Sequence, residues 1–183
     1  MTAYSKQLEI KIDNPSTLHQ KLKHYLTTYH FLEDSVDDTN FVFYKKGSIL
    51  DGWKINPLNW QSKLTATLDK DQCLHVHYTV PSHNVINPVV FTALYDGFLT
   101  NLEAYIVHDK AVEADNSERI SGAKKNMLRY YGIMFVGVII AFLLGTLVQE
   151  MTGNQLYGQL VSIGLALLSV RMLNTVLLHR VSK

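Results

Sequence analysis

The sequence predicts an α+β domain in β-α-β-β-β-α order, an antiparallel sheet with helices on one face, followed by a two-helix transmembrane hairpin. Three observations carry this reading. Tyr130–Gln149 is an uncharged apolar run about 20 residues long, and a helix of that length crosses a hydrocarbon core of ~30 Å. Upstream of it, the chain switches between period-two and helical patterning. Charge is also split: residues 1–120 carry 11 Lys/Arg and 15 Asp/Glu, whereas 121–183 carry 6 Lys/Arg and only Glu150.

Taken in order, Tyr4 to Ile12 alternates, with Leu8, Ile10 and Ile12 on one face and Gln7, Glu9 and Lys11 on the other, the signature of a strand with one buried face. Asn14-Pro15 offers an N-cap and a first-turn proline. Leu18, Leu22, Tyr25, Leu26 and Tyr29 then follow at helical spacing to about Phe31. Glu33 to Asn40 reads as an acidic connector. Strands are expected at Asn40–Lys45, Lys63–Asp69 and Cys73–Val80, the last two joined by the turn Asp69-Lys70-Asp71-Gln72. Asn87-Pro88 opens a second helix with Phe91, Leu94, Phe98, Leu102 and Tyr105 as its apolar stripe.

The domain is expected over 1–108. Residues 109–126 form a charged linker or an extension of the second helix, interrupted near Asn116-Ser117 and Ser121-Gly122. The hairpin takes 127–183, with spans at about 129–149 and 156–178. The polar link Glu150–Gln155, with Gly153-Asn154 suited to a reversal, makes the two helices antiparallel neighbours. Lys124, Lys125 and Arg129 precede the first span, and His179, Arg180 and Lys183 follow the second, so the positive-inside bias places both termini in the cytoplasm. Met1–Ile12 has no apolar h-region, so no signal peptide is expected.

Small residues recur every four positions: Gly137, Ala141 and Gly145 in the first span, Gly158, Ser162 and Ala166 in the second. Such stripes let helix backbones approach closely, and the simplest use is packing the hairpin on itself. Gly164, Arg171 and Asn174 fall on the other side of the second helix. An intramembrane arginine marks function by default; the plainer alternative is a guanidinium snorkelling to the headgroups. The expectation here is a face that docks on another membrane subunit or another copy.

Before the spans, Lys45–Trp60 holds both tryptophans. Trp53, Lys54 and Trp60 together suit a membrane surface or a partner, against the alternative that the indoles close the end of the sheet. His75, His77 and His83 contain the elements of a zinc site, but no HExxH or carboxylate-rich motif accompanies them. Asp34, Asp37 and Asp38 lack EF-hand spacing, Ser48 and Ser82 lack a nucleophile elbow, and Cys73 reads as a buried structural thiol. The lone cysteine also precludes an internal disulfide, in keeping with a reducing compartment. No phosphate-binding or dinucleotide motif occurs, and no catalytic residue, metal or cofactor is expected. The mildly acidic domain argues against nucleic acid, while the basic excess near the spans suits anionic lipid. The functional expectation is a non-enzymatic membrane accessory or scaffold subunit. The rivals are an oligomeric channel or transporter component, and a membrane-tethered enzyme or lipid-ligand sensor.

Overall fold

The computed structural model describes residues 2–37, 39–48, 54–82 and 87–181. It is α+β, with a five-stranded antiparallel sheet and four α-helices among the described residues. In chain order the elements are β1 (Thr2–Lys11), α1 (Leu18–Thr28), β2 (Leu32–Val36), β3 (Asn40–Lys45), β4 (Ser62–Leu68), β5 (Cys73–Pro81), α2 (Thr92–His108), α3 (Glu113–Thr152) and α4 (Gln155–Val181). The chain forms two compact units, which divide between Lys124 and Lys125.

In the first unit the strand order is β1-β5-β4-β3-β2: a meander from β2 to β5, with β1 returned antiparallel against β5. Alternation decides what faces inward. Ile10, Phe41, Phe43, Leu64, Ala66, Leu74, Val76, Tyr78 and Val80 are buried against Leu22, Tyr25 and Leu26 of α1 and Leu94, Tyr95, Phe98 and Leu102 of α2. Among the described residues, Asn-Pro steps start each of the three 3-10 turns. Asn14, Asn56 and Asn87 each accept, through the side-chain oxygen, the backbone N–H two residues on, while the proline takes the first position, where its missing donor is not needed.

Three expectations are corrected here. The acidic segment after Phe31 is not simply a connector: Leu32–Val36 is an edge strand paired with β3. Asp37 ends it by accepting the backbone N–H of Thr39 and Asn40 in the β2–β3 turn. Residues 109–126 are neither a linker nor an extension of α2. Asp109 stops α2 in the left-handed conformation (φ 49°), and a new helix, α3, begins at Glu113 and continues through Asn116-Ser117 and Ser121-Gly122. Finally, Cys73 is not a core thiol, because Leu74 and Val76 take the inward positions and turn Cys73, His75 and His77 to the open face of the sheet.

Candidate functional site

The head of α3, up to Lys124, belongs to the first unit and is held by a buried polar network. Asn116 donates its side-chain amide to the phenol oxygens of Tyr25 (2.9 Å) and Tyr29 (2.7 Å), and accepts from Asn101 at 2.8 Å. Asn101 also donates to Asp115, and the Tyr25 hydroxyl donates to the Phe98 carbonyl at 2.8 Å. Gly97 leaves room for the neighbouring Arg119, whose Nη1 lies 2.5 Å from where a Cβ would stand. Asn101 and Asn116 are both buried, and the side-chain amide nitrogens of both have hydrogen-bond partners. Alongside lies a cleft of about 550 Å³ with Tyr29, His30, Asn59, Glu113, Ser117 and Lys124 in its wall.

The same unit holds a buried lysine. Period two carries Phe41, Phe43 and Lys45 inward together, and Lys45 is 5% exposed. Its Nζ donates to the Leu58 carbonyl and stands 4.4 Å from the centre of the Phe31 ring. Burial, and then the charge of Lys54, push its pKa down to about 7.

In the loop expected to meet membrane or partner, Trp60 is fully buried. Its indole N–H donates to the Lys54 carbonyl at 3.1 Å, and its ring stands edge-on to Phe91 at 5.4 Å. Trp60 is therefore a core residue and not a surface anchor, because its one polar atom is satisfied within the loop. Lys54 donates from its ammonium to the Asn59 carbonyl at 3.1 Å. Trp53 lies outside the described residues.

In the second unit, the C-terminal half of α3 meets α4. The two-residue link uses Gly153 at φ 63°, a conformation glycine adopts without a Cβ penalty, and Asn154 caps α4 by accepting the Leu156 N–H at 2.9 Å. A Cβ on Gly145 would run into Ser162 Oγ and lie 2.6 Å from the Gly158 carbonyl; one on Gly137 would lie 3.1 Å from the Ser169 Cβ. Ala141 is buried and Ala166 half-buried. Gly164 and Arg171 are exposed; Asn174 is on α4, with its side chain outside the described part.

Among the described residues, α3 is the one helix long and apolar enough to cross a membrane; the described apolar stretch of α4, Gln155–Ser169, is shorter. On α3 the Ile, Phe, Val and Leu side chains from Ile133 to Leu147 are exposed, from 42% at Val138 to 66% at Phe135. Among the described residues of this unit, the hydroxyls of Thr146, Ser162 and Ser169 bond to their own helices, at the carbonyl oxygens of Leu143, Gly158 and Leu165.

His77 Nε2 lies 2.9 Å from Ser5 Oγ, and His83, the third predicted histidine, lies outside the described residues. His75 instead has Glu9, Asp69 and Cys73 as neighbours. Comparison with protein families, curated proteins and solved structures finds no match to this chain.

Proposed function

We propose that this protein is a non-enzymatic membrane accessory or scaffold subunit, an α+β interaction domain anchored by the α3–α4 hairpin. The observation that carries the reading is the set of exposed Ile, Phe, Val and Leu side chains that recurs along α3 between Ile133 and Leu147. A surface of that kind is unfavourable in water and at ease among acyl chains. Self-satisfied hydroxyls support it, because hydrocarbon supplies no hydrogen-bond partner.

In the finer form of the proposal α4 is the second span, both termini are cytoplasmic and the Gly153-Asn154 link is on the far side, as the flanking Lys and Arg favour. Gly164, Arg171 and Asn174 then form the face offered to another membrane subunit or a second copy. The domain's own recognition surface is the cleft beside the head of α3, where Glu113 and Lys124 bring charge of both signs.

Accessibility of single cysteines tests the arrangement. In a Cys73→Ser chain, Lys70→Cys, on the exposed β4–β5 turn, should react with a membrane-impermeant maleimide only after the vesicle is opened, and Met151→Cys without opening. Reaction of both from one side overturns the two-span form. Release of the chain from membranes by alkaline carbonate overturns the anchor itself.

A further inference from the structure

The β1–β5 register sets Glu9 opposite His75 and Lys11 opposite Cys73, all on the open face of the sheet. One ligand atom from each of Glu9, Cys73 and His75 lies within 4.8 Å of the other two. Glu9 Oε1 is 3.4 Å from His75 Nδ1, while Asp69 Oδ2 is 3.1 Å from Nε2 on the other side of the ring. Asp69 is itself held: its Oδ1 accepts the backbone N–H of Asp71 at 2.9 Å and of Cys73 at 2.8 Å. We propose that Glu9, Cys73 and His75 bind a divalent transition-metal ion of the zinc type, with Asp69 as the residue that orients the imidazole.

The geometry gives the two ring nitrogens different duties. Nδ1 faces the Glu9 carboxylate and would coordinate the ion, and Nε2, protonated in that tautomer, would donate to Asp69, the carboxylate–histidine pairing that fixes tautomer and ring orientation at metal centres. Tetrahedral zinc with bonds of ~2.0–2.3 Å sets its ligands about 3.5 Å apart. The spacing within 4.8 Å is close to that value, and the Glu9 side chain, 73% exposed, is free to change rotamer as the site closes. A thiolate, an imidazole and a carboxylate favour zinc, cobalt or nickel over magnesium or calcium.

Charge balances as well. Binding breaks the Cys73 S–H bond and releases its proton to solvent, and the thiolate and the Glu9 carboxylate together neutralise the two positive charges. Lys11 is exposed, so its ammonium has solvent to occupy. Three protein ligands leave a fourth position for water or a donor from another molecule. The proposal stands apart from the membrane reading.

The test uses the untagged full chain in detergent, titrated with Co²⁺ and then Zn²⁺. Expected are one ion per chain, a thiolate-to-cobalt charge-transfer band in the near ultraviolet, and its loss on adding zinc. Cys73→Ser should abolish the band, His75→Ala and Glu9→Gln should weaken binding, and Asp69→Asn should weaken it about 10–100-fold. His77→Ala should leave affinity unchanged. Far-ultraviolet dichroism of the metal-free variants checks folding, and Glu9→Gln, a near-isosteric change at an exposed side chain, keeps the test decisive if Cys73→Ser or His75→Ala is perturbed. Absence of the band, or parental affinity retained in both Cys73→Ser and His75→Ala, overturns the proposal.

Discussion

Asn116, a buried side chain near the start of α3, donates to the phenol oxygen of Tyr25 on α1 at 2.9 Å, across 91 positions of sequence. The contact ties the head of α3 into the domain, and it does so through a polar group that has no alternative partner in water once buried.

Replacing Asn116 with leucine should therefore destabilise the domain by ~1–3 kcal/mol, the cost of stranding buried partners. Denaturant unfolding of Asn116→Leu, Tyr29→Phe and the double variant checks it. The two effects should be non-additive, since Tyr29 and Asn116 share one bond of 2.7 Å.

Lys45 makes stability pH-dependent with a definite sign. Its folded pKa of about 7 lies below the ordinary 10.5, so between these values the unfolded chain holds the proton and the native chain does not. Stability contributed here rises as pH increases from about 7 toward 10.5. The buried phenols of Tyr4, Tyr25 and Tyr78 are pushed above their ordinary value of 10.0, by burial first, so their contribution is lost as pH climbs past it. Denaturation midpoints should peak in mildly alkaline buffer. Lys45→Met should be more stable than the parent at pH 6 and flatten the rise, and an unchanged profile would refute this account.

Trp60→Ala should cost ~3–5 kcal/mol, as truncation of a fully packed aromatic does, because it opens a cavity against Phe91 and strands the Lys54 carbonyl. Thermal unfolding measures it. A loss below 1 kcal/mol, as expected of a surface anchor, would contradict the core assignment.

Gly145→Leu should separate α3 from α4, since a side chain there meets Ser162 and the Gly158 carbonyl. A disulfide between Gly137→Cys and Ser169→Cys, in a Cys73→Ser chain, reports the separation. It should form readily in the parent hairpin and poorly when Gly145→Leu is added.

How much of this was legible in the residues depended on which direction of space was involved. Period two placed β3, β4 and β5, and read strictly it also places Lys45 inward, in phase with Phe41 and Phe43. The edge strand Leu32–Val36 escaped detection because it carries Glu33, Asp34 and Ser35 and exposes Leu32; its pairing with β3, and not a hydrophobic face, makes it a strand. Asn116 looked like a helix breaker because asparagine competes for backbone bonds when exposed. Buried against Tyr25 and Tyr29, its amide finds partners on another element and the helix runs on.

By itself the sequence determined the uncharged apolar run of α3, the alternation of the strands and the Asn-Pro starts of the turns, because each is set by side-chain chemistry over a few neighbouring positions. Tertiary structure alone decided that Trp60 is core, that Glu9 and Asp69 flank His75, and that Asn116 locks α3 to α1. Those meetings depend on strand register and helix docking, which bring together groups that local pattern cannot relate.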